Sequence, residues 1–161
     1  MTKKHLNYDL QHGQVGLKAW FGLLYARDSL VEAVDKALVS QHELPLSWFE
    51  VLLRLAACDA QSTENTFLSV SNLAKEVLLS PSRVSRVVDG LHQRGLVIRR
   101  QSTADARVTE VALTEAGMSL FQAANATHCQ VINDRFLGRL STQEVEVLVK
   151  VWQEIGITYS Q

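Results

Sequence analysis

VIRRQSTADARVTEVAL, residues 97–113, is the one stretch of this 161-residue chain in which apolar residues alternate instead of recurring every third or fourth position. Val108, Val111 and Leu113 stand among polar neighbours, and Val97 and Ile98 lie on the other side of a polar, charged centre. A period of two over a short run marks strands, so the segment predicts two short strands joined by a loop. Arg99, Arg100 and Arg107 fall near the tip. Everything around the segment reads helical. The expected fold class is therefore mainly α with one small β-hairpin.

The composition bounds the rest. A chain of 161 residues with 47% hydrophobic content can bury one core, or two intimately packed ones. Charged residues make up 20% and the net charge is −1, which excludes a basic or acidic disordered tail. No run of about 18 apolar residues occurs, so no membrane span is expected. MTKKHLNYDLQHGQ, residues 1–14, starts basic but continues without an apolar stretch and does not read as a secretory signal. Cys58 and Cys129 are too few and too distant for a disulfide framework, which favours a cytoplasmic setting.

The small net charge hides an asymmetry. Residues 80–107 hold six arginines (83, 86, 94, 99, 100 and 107) against Asp89 and Asp105, a local excess of four that leaves the remainder at −5. A basic patch on a mildly acidic body suits a polyanion; a plain solvated face is the blander reading.

The periodicity predicts a first helix over 14–40. Leu17, Leu24, Val31 and Leu38 recur every seven residues, with Trp20 and Val34 on a neighbouring row. Such a seam fits a subunit interface or packing within one subunit. LPLSWFEVLLRLAACD (44–59) predicts a second helix with a Ser47–Glu50 capping box and Val51, Leu55 and Cys58 on one face. AQSTENT (60–66) reads as a flexible loop and FLSV (67–70) as a minor third strand. SNLAKEV (71–77) predicts a short helix capped by Ser71, with Leu73 and Val77 inward. After the hairpin, Thr114 caps a long helix whose face includes Met118, Phe121, Cys129, Ile132 and Phe136. A second capping box, Ser141–Glu144, opens a final helix with Val145, Leu148, Trp152 and Ile155 in one stripe.

LLSPSRVSRVVDGLHQRGL (78–96) carries the function. Ser80 is placed as N-cap and Pro81 at the first helical position, where its missing N–H costs nothing. Gly95 supplies a left-handed stop, so the helix spans about 81–94. Val84, Val87, Val88 and Leu91 form its inward stripe. Ser82, Arg83, Ser85 and Arg86 then project from the opening turns, with Asp89 and Gln93 further along. Small hydroxyls admit a phosphate close to the backbone, the helix N-terminus adds partial positive charge, and arginine grips guanine with two bonds. This is how the second helix of a helix–turn–helix meets base edges, and a basic hairpin after it can reach the next minor groove as a wing.

Residues 70–117 resemble the MarR family of winged-helix regulators. NLAKEVLLSPSRVSRVVDGLHQRGLVIRR is similar to its helix–turn–helix, and DARVTEVALTEAG to its wing and the entry to the next helix. The resemblance implies that Ser82, Arg83, Ser85, Arg86, Arg99 and Arg107 contact DNA and that Asp105 steadies the wing arginine. It implies a homodimer built from the terminal helices: a dimerisation region over 1–45, a winged helix–turn–helix lobe over 46–113, and completing helices over 114–161. It also implies a repressor released from a pseudo-palindromic operator by a small apolar or aromatic effector. Three positions depart from the family pattern: Leu78 where Gly is common in the turn, Ser102 for an acid, and Ala106 for a second arginine.

Trp20, Tyr25, Trp48 and His128 are the effector-pocket candidates, each also readable as a core or interface residue. Cysteine-based redox sensing is an alternative, although both thiols share faces with apolar residues, the pattern of inert buried cysteines. The five histidines show no i, i+4 pair, so no metal is expected, and no cofactor. Without a phosphate loop or nucleophile elbow, the chain does not read as an enzyme. A winged-helix protein–protein adaptor without DNA binding is the reading from another class.

Overall fold

Helix α1 (Gly13–His42) ends where Glu43 turns left-handed at φ 52°, and Pro45 leads directly into α2 (Leu46–Asp59). The computed structural model describes residues 12–60, 66–77 and 79–157. Most of the AQSTENT segment and the turn residue Leu78 lie outside these, so neither the expected loop nor the departure at Leu78 is described. Strand β1 (Leu68–Ser69) leads into α3 (Val70–Glu76) and α4 (Pro81–Gln93). Strands β2 (Val97–Gln101) and β3 (Thr109–Leu113) form the hairpin. Helix α5 (Glu115–Arg135), a 3₁₀ turn at Leu137–Arg139 and α6 (Thr142–Glu154) complete the chain. The fold is mainly helical, with a three-stranded antiparallel sheet in the order β1-β3-β2.

The core sits among α2, α4, the sheet and the second half of α1. Leu38, Leu44, Phe49, Leu52, Leu73, Val84 and Leu91 are fully buried, and Val97 and Val111 close it from the sheet. Phe121 of α5 stacks on Phe49 with centroids 5.9 Å apart. The seven-spaced seam of α1 splits in two. Val34 and Leu38 are buried, whereas Trp20, Leu24 and Val31 face solvent.

Local chemistry explains most boundaries. At the end of α4, Gly95 adopts φ +69°, its N–H bonds to the His92 carbonyl and Leu96 N–H to that of Leu91, the Schellman arrangement. Thr114 and Ser141 cap α5 and α6 through Gly117 N–H and Glu144 N–H, and the Ser141–Glu144 box is complete.

Three expectations are corrected. The Ser47–Glu50 capping box does not form, because α2 starts at Leu46 and Ser47 already lies inside the helix; the Leu46 N–H donates to Asp35 Oδ1 of α1 at 2.7 Å. Helix α3 is capped by Ser69, not Ser71, since β1 ends there and Asn72 N–H donates to Ser69 Oγ. Cys129 is exposed. At 100° per residue it lies about 80° round the helix from Phe121, while His128 lies about 20° away and points inward.

Candidate nucleic-acid interface

Burial of Val84, Val87, Val88 and Leu91 fixes which way α4 faces, and it leaves Ser82, Arg83, Ser85, Arg86 and Asp89 exposed. Pro81 occupies the first turn, and Ser80 holds extended backbone with φ −67° and ψ 150°. Ser80 makes no side-chain cap; its Oγ lies 3.3 Å from Ser82 Oγ. Ser85 Oγ donates to the Pro81 carbonyl at 3.2 Å and Arg86 Nε to that of Ser82 at 3.4 Å. These local bonds hold the hydroxyls of Ser82 and Ser85 and the guanidinium of Arg86 close to the opening turns of the helix.

The pleat separates the two adjacent wing arginines. Val97 pairs with Leu113 and Arg99 with Val111, so Arg99 shares the core-side face and reaches α4, where its Nη1 pairs with Asp89 Oδ1. Arg100 lies opposite Glu110 on the other face, with Nε 2.8 Å from Glu110 Oε2 and its guanidinium 3.5 Å from the Phe67 ring centroid. The Arg100 hydrogen bond, helped by Ser102, holds the Glu110 carboxyl below the ordinary glutamate range. At the wing tip, Asp105 Oδ1 accepts from the backbone N–H of Arg107 at 2.9 Å, and its carbonyl accepts from Val108 N–H. The acid thus engages the arginine through the main chain rather than through the guanidinium.

Helix and wing meet across a groove of about 320 Å³ lined by Ser71, Ser85, Asp89, Arg99, Arg107 and Thr109, among others. The six arginines of the basic segment do not act as one patch. Arg94 lies at the far end of α4 and donates to the Glu43 carbonyl, while Arg99 and Arg100 are paired with acids. Among the described residues Arg83, Arg86 and Arg107 pair with no carboxylate. Asp89 and Phe67 are the participants that pattern reading missed. The only signal for Asp89 was an acid alone on the outward face of a basic helix.

The four effector-pocket candidates are not brought together. His128 lines a cavity of about 400 Å³ between α1, α2 and α5, with Val31, Phe49, Glu50, Arg54 and Ile132. Burial pushes the His128 imidazole below its ordinary range and the Glu50 carboxyl above its own, against the opposing pull of Arg54 and Arg83. Trp20 instead lines a larger apolar cleft of about 690 Å³ between α1 and α6, with Leu23, Phe136, Leu148 and Trp152. Tyr25 is exposed and stacks with Phe21. Trp48 packs against Gly90 of α4. The Cys58 thiol is pushed up by burial, then by Glu76. Among the described residues no cluster of three potential metal ligands occurs, and no helix is long and apolar enough to cross a membrane.

Comparison with known proteins agrees with this architecture. Residues 42–108 match the family model described as MarR family. The chain is 32% identical over 92 residues to the HTH-type transcriptional regulator MhqR of Bacillus subtilis, a match covering 57% of this chain and 63% of that protein. In three dimensions it resembles Sco3205, a MarR family transcriptional regulator from Streptomyces coelicolor solved in complex with DNA. The TM-score is 0.80 at 21% identity, over 95% of this chain and 96% of that one. It also resembles CouR from Rhodococcus jostii RHA1 bound to p-coumaroyl-CoA, with TM-score 0.66 at 27% identity over 88% and 95% of the two chains. The likeness to Sco3205 speaks to the fold, and the matched stretch spans less than two thirds of MhqR. The family match over residues 42–108, the relative and the shared winged-helix architecture converge on the MarR family as the one this chain resembles.

Proposed function

We propose that this protein is a DNA-binding transcriptional regulator, acting in the cytoplasm as a homodimeric repressor on a pseudo-palindromic operator. The observation that carries the reading is that Ser85 of α4 and Arg107 of the wing line one groove, with Ser82, Arg83 and Arg86 exposed on the same opening turns of α4. A recognition helix in the major groove and a wing arginine in the adjacent minor groove use these residues in complementary ways. The Sco3205 complex with DNA supports the same use of a shared fold. Dimerisation accounts for the solvent-facing half of the α1 seam and for α6, where Val147, Val151 and Ile155 are exposed and no residue is buried.

Selection of bound fragments from random duplex DNA, with solution mass measured in parallel, tests the reading. A two-fold symmetric site whose half-sites lie about one helical turn, roughly 34 Å, apart is expected. Removing residues 141–161 should yield a monomer. A protein with no salt-dependent affinity for any duplex is better read as an adaptor.

An effector fits the cavity beside His128. Its walls are mostly apolar, and burial drives Glu50 and His128 toward their neutral forms, which favours an uncharged aromatic body. CouR, bound to p-coumaroyl-CoA, offers a ligand-binding parallel. Such a ligand releases DNA by binding the DNA-incompetent arrangement more tightly. The exposure of Cys129 favours oxidation as a second trigger, which peroxide treatment of the parent and of Cys129→Ser separates from ligand release.

A further inference from the structure

The C-terminal part of α1 is tied to α2, α5 and α4. Asp35 holds the start of α2 through Leu46 N–H, and His42 Nε2 lies 2.8 Å from Thr127 Oγ1 of α5. Arg94 makes the third tie. It is the C-cap of α4, at the end remote from Ser82 and Arg83, and its Nη1 donates to the Glu43 carbonyl at 2.9 Å. Glu43 is the left-handed C-cap of α1, so the guanidinium sits on the negative end of that helix. Its guanidinium carbon lies 5.7 Å from the Trp48 ring centroid, and the same ring packs against Gly90. A Cβ at Gly90 would come within 2.4 Å of that ring. Three helix ends therefore meet at one cation, and the indole is the spacer between them.

We propose that Arg94 is a positioning residue that sets the angle of α4 against α1, and through it the half-site spacing the protein accepts. The inference rests on the DNA-reading function proposed above. In a symmetric dimer the two-fold axis lies with α1, whereas the base contacts lie on α4. Any pivot of α4 about its C-terminal end is magnified at its N-terminus, where Arg83 and Arg86 project. One base pair displaces a half-site by about 3.4 Å and turns it by about 35° around the duplex, so the angle at which α4 is held bears directly on which spacing is met. Arginine suits the junction because one planar group bonds the carbonyl and keeps its charge over the indole. It also explains why Arg94, the arginine of the basic segment nearest the α4 C-terminus, faces away from the groove.

The test uses the full chain and duplexes carrying the selected half-sites at the preferred spacing and with one base pair added or removed. Parent protein should prefer its own spacing by about tenfold, and Arg94→Ala should reduce that preference to about two- to threefold. Arg94→Lys, which keeps the charge without the planar fork, should fall between them. Affinity for an unrelated duplex should stay at the parent's value, while the thermal midpoint falls by about 2–5 °C. Should Arg94→Ala fail to fold, Arg94→Lys and Trp48→Phe carry the same comparison. Unchanged spacing preference in these variants overturns the proposal. So does a uniform loss on every duplex, which would make Arg94 a simple phosphate contact. A parent protein that discriminates no duplex at all overturns the DNA-reading function instead, and the positioning role with it.

Discussion

Asp89 of the recognition helix and Arg99 of the wing are joined by an ion pair that bridges the groove between them. The bond ties the two elements of the proposed DNA interface into one surface, and it engages a positive charge that would otherwise be free for phosphate. Its side chains are half exposed, so its contribution to stability is small. Its effect belongs to binding. Asp89→Asn is expected to tighten binding to unrelated duplexes and to steepen the salt dependence by about one unit of slope, because Arg99 is released. The preferred site should gain less, so specificity falls. Binding isotherms at two salt concentrations on both duplexes check this, and a steepened slope without lost discrimination would confine Asp89 to charge balance.

Helix and wing should fail differently. Arg83→Ala or Arg86→Ala should cost about 1–3 kcal/mol on the preferred site and little on scrambled DNA, as expected when a bidentate base contact is lost. Arg107→Ala should weaken both together, since a minor-groove arginine senses groove width and charge. Equal affinity of Arg107→Ala and parent on both duplexes would remove the wing from the interface.

Asp105→Ala should reproduce part of the Arg107→Ala defect. The carboxylate that accepts from Arg107 N–H is gone, and the tip loses the bond that sets where the arginine emerges. Hydrogen exchange at Arg107 and Val108 should accelerate while α4 stays protected. A wing that remains equally protected would place its order in the strand pairing alone.

Gly117 is the position least able to accept a side chain. A Cβ there would lie 2.0 Å from the carbonyl oxygen of Leu96, which is itself bonded to Thr114 N–H. Backbone cannot step aside as a side-chain tip can, so Gly117→Ala should lose about 1–3 kcal/mol or more. In a domain of this size that lowers the thermal midpoint by about 2–4 °C per kcal/mol. A midpoint within one degree of the parent's would mean the junction of α5 with the α4–β2 turn is loose.

Glu50 should make stability depend on pH in an unusual direction for a carboxylate. Its folded-state pKa is raised, chiefly by burial, so the folded protein holds a proton that the unfolded chain has already released. The stabilisation is fully present below the ordinary glutamate range and is lost as pH rises through the raised value. Glu50→Gln should therefore raise the thermal midpoint at neutral pH and leave it little changed in acid. Denaturation at pH 4 and pH 7.5 checks the sign.

Sequence periodicity by itself determined the element order, the inward stripe of α4 and hence the outward Ser82, Arg83, Ser85 and Arg86. It also determined the Gly95 stop and the caps at Thr114 and Ser141. These follow from 3.6- and two-residue repeats and from bonds spanning a few residues, all local in the chain. Tertiary structure decided whatever depended on a distant partner. Helix α2 began at Leu46, ahead of Ser47, and its first N–H went to Asp35 of another helix. The pleat sent Arg99 to Asp89 and Arg100 to Glu110, so a run of basic residues became three pairings in three directions once Arg94 found Glu43. Helix pitch turned Cys129 to solvent and His128 inward, and packing dispersed Trp20, Tyr25 and Trp48 from the cavity His128 lines. Charge and aromatic content are visible along a chain, but their use is set by whichever neighbour the fold brings within bonding distance.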